Sequence, residues 1–114
     1  TLKIKEAVLD KNHPSLATSY SNLSSIYKDL GQLEPALEFQ KKTLKIKEAV
    51  LDKNHPSLAT SYHNLSTLYL NMKQYSTALE YAQKAVAILQ YLFPNGHPNL
   101  DKAKQNLEEI RKRA

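Results

Sequence analysis

Nine polar residues recur at helical spacing, and their chemistry is that of holding a ligand: Thr18, Ser21, Asn22 and Ser25, then Thr60, His63, Asn64 and Thr67, then Asn106. Intervals of three and four place each group on one stripe of a helix. Asn22, Asn64 and Asn106 hold one position on three successive helices. A carboxamide offers a donor and an acceptor, so this ladder can pair with the backbone of an extended peptide without reading its side chains. The same amide can equally bond a neighbouring helix. His63 shares the stripe, either as a pH-sensitive contact or as a plain solvated histidine.

Bond-making chemistry has no footing. No nucleophile–base pair, Gly-rich phosphate loop or metal-ligand spacing occurs, and the chain has 2 Gly and 0 Cys. His13, His55 and His97 recur, each before a proline. As metal ligands they fail, because neighbouring helix pairs stand about 8–10 Å apart whereas a Zn–N bond needs about 2 Å. They are expected to cap loops. No catalytic residue, metal or cofactor is expected.

The elements behind these residues come from a repeat. Residues 1–20 return unchanged at 43–62, a period of 42 residues. A weaker third copy follows at His97-Pro98. Between 21–42 and 63–84 only Asn22, Leu23, Ser24, Tyr27, Gln32, Ala36, Leu37, Glu38 and Lys42 recur. A period between about 20 and 50 residues is the signature of stacked repeats.

Leu16, Tyr20, Leu23, Tyr27 and Leu30 fall four, three, four and three apart, which predicts a helix over 14–30. Pro14 suits its first turn, and Gly31 the place just past its end. A second helix is expected from about Leu33 to Leu51, with Pro35 tolerable in its first turn. The unit then repeats. Pro56 to about Met72 carries Leu58, Tyr62, Leu65, Tyr69 and Met72, and Gln74 to Phe93 forms its partner. Lys73 replaces the glycine, so that turn is expected to be less well specified. Pro98 to Arg113 is a last helix in which Lys104 and Arg111 take the places of Tyr62 and Tyr69. One wet side is how a repeat stack is capped. The organisation expected is an end of a second helix over 1–12, repeats over 13–54 and 55–96, and a capping helix over 97–114. No β signal occurs. The fold expected is all-α, an α-solenoid of stacked antiparallel pairs with about five helices.

Composition narrows the partners. At 41% apolar and 24% charged the chain is ordinary globular material. Its net charge of +5 admits a nucleic-acid or acidic partner. Its lysines are scattered among Glu and Asp, with denser groups at Lys41, Lys42, Lys45 and Lys47 and at Arg111, Lys112 and Arg113. No aromatics are interleaved for base stacking, so a solvated outer face is expected and nucleic acid is not. The seven tyrosines fall nearly all on core stripes and are expected to be packing residues. No apolar run approaches the roughly 18 residues of a membrane span, and no signal pattern opens the chain. No membrane association is expected, and cytoplasm is the default location.

The helix pairs resemble tetratricopeptide (TPR) repeats, whose motif is W-x2-L-G-x2-Y followed by small residues on the second helix. Tyr20, Leu23, Ser24 and Tyr27 stand in those places, with Ala36 and Thr43 as the small residues. Tyr62, Leu65, Ser66 and Tyr69, with Ala78 and Ala85, repeat the pattern. Serine replaces the usual glycine, and the period is 42 residues, not 34. The longer second helix and the D-K-N-H-P turn resemble the repeats of kinesin light chains. This resemblance implies a concave groove lined by first helices that holds an extended peptide. It also implies that the shared Asn grips the peptide main chain. Ser21 and Ser25 stand where the carboxylate clamp of some TPR domains carries Lys and Asn, so that clamp is expected to be absent.

The function expected is a non-catalytic scaffold that binds a peptide or protein partner. The alternative is a structural or self-associating repeat module, natural or engineered, with no specific ligand. Self-association would run through Leu2, Ile4, Val8 and Leu9, which lack the first helix of their pair.

Overall fold

The computed structural model describes residues 14–114 as five helices: α1 Pro14–Asp29, α2 Leu33–Val50, α3 Pro56–Asn71, α4 Tyr75–Leu92 and α5 Pro98–Arg113. No strand occurs among the described residues. α1 packs against α2 and α3 against α4, and the α2–α3 and α4–α5 contacts join the pairs into an all-α solenoid. Expectations for residues 1–13, including the histidine at position 13 and the apolar residues near the start, lie outside the described residues.

Chain chemistry sets the helix starts. His55 and His97 are the N-cap residues of α3 and α5, each followed by proline in the first turn. The His55 Nδ1 accepts from the Ser57 N–H at 3.0 Å, and the His97 Nδ1 from the Asn99 N–H at 3.0 Å. Each imidazole satisfies a backbone donor that the helix itself leaves free. The expected loop caps are found at both positions.

The ends of α1 and α3 close in one way. After α1, Gln32 N–H donates to the Tyr27 carbonyl at 2.9 Å and Gly31 N–H to the Lys28 carbonyl at 3.0 Å. After α3, Gln74 N–H donates to the Tyr69 carbonyl at 2.9 Å and Lys73 N–H to the Leu70 carbonyl at 2.9 Å. This is the paired Schellman bonding that needs a left-handed residue. Gly31 supplies φ 78°, and Lys73 adopts φ 63°. The turn at Lys73 therefore takes the same form as the glycine turn, although a lysine signals it less clearly than a glycine. The left-handed conformation carries a backbone cost of about 1–2 kcal/mol for a residue with a Cβ. Lys73→Gly is expected to raise stability by about 1 kcal/mol, read as a higher melting temperature. An unchanged or lower value would show that Lys73 is not strained.

Small residues let each pair close. Ala36, Thr43, Ala78 and Ala85 are at most 1% exposed. The serine that replaces glycine has a use here, since Ser24 Oγ donates to the Ala36 carbonyl across the pair at 2.8 Å. Thr43 Oγ1 lies 3.0 Å from the Phe39 carbonyl and 3.3 Å from that of Ala17 on α1. Both hydroxyls are thereby satisfied while buried.

Large residues fill the gap beside them. Tyr20, Phe39 and Tyr27 stack at 5.9 and 5.7 Å, and Tyr62, Tyr81 and Tyr69 at 6.0 and 5.7 Å. Lys42 lies 5.6 Å from the Tyr20 ring, and Lys84 5.6 Å from that of Tyr62. A cation over a ring face is held by the ring quadrupole. The Tyr62 hydroxyl also donates to Glu48 at 3.0 Å, tying α3 to α2. Burial first, and then the Glu48 carboxylate, push the Tyr62 phenol up to about 12. The packing role expected of tyrosine fails at Tyr91, which is 69% exposed. Leu30, assigned to a helix stripe, is exposed as well, and so is Val50 near the end of α2.

Candidate functional site

A cavity of about 330 Å³ opens between α3, α4 and α5. Two successive first helices form its walls, and the second helix between them forms its floor. Ala59, Ala85 and Ala103 keep it open because their side chains end at Cβ. Leu89 and Phe93 supply apolar surface, and Thr60, His63, His97, Asn99 and Lys102 add polar atoms. Leu89 and Phe93 belong to the last turns of α4 and its C-cap. The long second helix, which sets the 42-residue period apart, therefore builds this floor.

The charged side chain of the lining is Lys102. The titratable residues of the lining are His63, His97 and Lys102, and among the described residues no carboxylate lines the space. His97 is held in place, since its ring stacks on Phe93 at 4.1 Å while its Nδ1 caps α5. Burial, and then the charge of Lys28 on α1, depress the pKa of His63 below the ordinary 6.5. The folded chain thus takes up this proton less readily than the unfolded one. The His63 contribution is fully present above pH 6.5 and is lost as pH falls through 6.5 toward the depressed value. His63→Gln is expected to flatten the part of the stability–pH curve below about pH 6.5, measured by thermal melts between neutral and mildly acidic pH. Identical curves would remove His63 from the account.

The nine polar residues of the stripe divide. Thr60 and His63 line the cavity. Thr60 Oγ1 is 3.4 Å from the Pro56 carbonyl and Thr67 Oγ1 3.1 Å from that of His63, so both hydroxyls bond back onto α3. Their lone pairs remain as acceptors. Thr18, Asn22 and Ser25 are exposed on α1, while Ser21 and Asn64 are half-buried. Asn106 bonds a neighbouring helix, with Nδ2 3.4 Å from Ser66 Oγ on α3. The three asparagines are therefore not equivalent.

Lys102 is a cavity residue that falls on the Asn106 stripe, so spacing alone contained its signal. Ala85, Leu89 and Phe93 come from α4, where no stripe drawn on first helices can find them. Among the described residues no group of three or more His, Asp or Glu comes together as a metal site requires. No helix among them is long and apolar enough to cross a membrane.

One tetratricopeptide repeat family model matches residues 16–57 and a second matches residues 40–90. The nearly identical TPR-like repeats of a protein assigned as a kinesin light chain of Podosopora anserina superpose with TM-score 0.87 at 27% identity, over 97% of this chain and 53% of that one. A single-residue variant of that protein gives TM-score 0.86 at 27% identity, covering 97% and 52%. BtubC (BKLC) from P. vanneervenii gives TM-score 0.85 at 25% identity, covering 98% and 45%. The chain spans about half the length of these solved chains. No curated protein matches it. Tetratricopeptide repeats generally mediate protein–protein interaction, and such families are typically non-catalytic.

Proposed function

We propose, since this chain belongs to the tetratricopeptide repeat proteins in their kinesin-light-chain form, that it is a non-catalytic scaffold holding an extended peptide along its first helices. The observation that carries this reading is the cavity between α3 and α5, with an apolar floor and only basic titratable groups. Such a lining suits an apolar side chain that has a carboxylate beside it. The net charge of +5 acts in the same direction by drawing in acidic segments. The side chains of Asn22 and Asn64, which make no hydrogen bond with other described residues, remain available for the peptide main chain. The partner is a protein or peptide, and neither nucleic acid, membrane nor cofactor enters the proposal.

Random-peptide display against the folded chain tests it. The expected result is enrichment of peptides with an apolar residue next to Asp or Glu, captured more weakly as salt is raised. No enrichment by a chain that circular dichroism shows to be folded would contradict the reading and favour a module without a specific ligand.

A further inference from the structure

One turn of the chain is chemically unlike its repeat. The α2–α3 turn reads Asp52-Lys53-Asn54-His55-Pro56, and one period later the α4–α5 turn reads Pro94-Asn95-Gly96-His97-Pro98. Asparagine is among the chemically labile side chains. Every other asparagine of the chain is followed by Leu, Met or His, and only Asn95 precedes a glycine. That pairing sets a carboxamide carbon beside a backbone nitrogen that no following side chain shields.

The fold leaves this pair open to water and free to move. Pro94, Asn95 and Gly96 are all exposed, whereas Asn54 is half-buried. Asn22, Asn64 and Asn106 lie inside helices, where the backbone cannot swing to meet the side chain. The Asn95 carboxamide makes no hydrogen bond with another described residue. Gly96 has φ 102°, and no atom lies within 4 Å of where a Cβ would stand. The turn is held by the Gly96 N–H, which donates to the Phe93 carbonyl at 3.0 Å. Water competes well for an exposed bond of this kind.

We propose that Asn95 deamidates without an enzyme and that its product loosens the junction of α4 and α5. The Gly96 nitrogen gives its proton to solvent base and attacks the Asn95 Cγ. The new C–N bond closes a cyclic succinimide, and the side-chain nitrogen leaves as ammonia. Water then opens the ring at either carbonyl. One product is an aspartate. The other is an isoaspartate, whose main chain runs through the side-chain carbon and is longer by that carbon. The longer chain falls between Phe93 and His97, whose rings stack at 4.1 Å. The same imidazole caps α5 through the Asn99 N–H at 3.0 Å, and both rings line the cavity. An extra backbone carbon pulls stack and cap out of register, so the start of α5 weakens.

Warm incubation of the whole chain at mildly alkaline pH, followed by intact mass and peptide mapping, tests this proposal. The expected result is a mass gain equal to the exchange of NH2 for OH, located at position 95, with Asn54 intact. Asn95→Gln, whose longer side chain disfavours the ring, should slow the gain about tenfold or more. The isoaspartate fraction, separated by its added negative charge, should melt below the fresh chain. A fresh Asn95→Asp variant should melt with the parent, which separates the new charge from the longer backbone. No gain at position 95, or an equal gain at Asn54, would overturn the proposal. An isoaspartate fraction that melts with the fresh chain would overturn the loosening of the junction.

Discussion

Leu65→Ala is expected to lower stability by about 3 kcal/mol, with the melting temperature falling by roughly 10–20 °C. Leu65 is 0% exposed and belongs to the core cluster that includes Leu58, Tyr69, Ala78 and Ala82. Three of its neighbours are alanines or ring faces, which cannot swing into the vacated space. The cavity penalty therefore adds to the lost transfer energy. Leu23→Ala is the internal control, because it stands at the same repeat position on α1 but is only half-buried. It should cost markedly less, since water already reaches part of the site. Thermal melts followed by circular dichroism read both. A loss below about 1 kcal/mol at Leu65 would show that α3 and α4 collapse onto the gap.

Asn22→Ala combined with Asn64→Ala is expected to weaken the capture of display-selected peptides at least tenfold. Two amides, each contributing about 1 kcal/mol net, reach that factor. Neither side chain bonds another described residue, so stability should stay within about 0.5 kcal/mol of the parent. Asn106→Ala should behave differently, because it removes the bond to Ser66 Oγ on α3. There a stability loss of about 1 kcal/mol is expected. Binding isotherms and thermal melts on the same samples separate the two effects. A double variant that loses stability while keeping its peptides would assign Asn22 and Asn64 to the fold.

The helices were legible in the sequence because each start and stop carries its own signal. The expected spans 14–30, 33–51, 56–72, 74–93 and 98–113 each lie within a residue of α1 to α5 at either end. Proline after histidine marks the starts of α3 and α5. Gly31 marks a stop that Lys73 conceals, since the left-handed turn at Lys73 closes with the same backbone bonds but carries no signal in its residue type. The site was only partly legible. A stripe on the first helices contains Thr60, His63 and Lys102, yet the floor of the cavity is the end of α4. Its residues Leu89 and Phe93 come into place only when α3 and α5 pack against that helix. The neighbour of Asn106 is 40 residues away, at Ser66. No local pattern could tell this asparagine from Asn64. Leu30 misled in the opposite sense. Its spacing is that of a core residue, yet it is 64% exposed.

The central claim is that the ligand lies along the first helices and in the α3–α4–α5 cavity. The most direct test is an NMR titration of the folded chain with one display-selected peptide, following the backbone amides. The account predicts the largest shifts at Thr60, His63, Asn64, Leu89 and Lys102, with the exposed lysines of α2, Lys41 and Lys45, unmoved. Shifts centred on those α2 lysines, with the cavity residues silent, would contradict it.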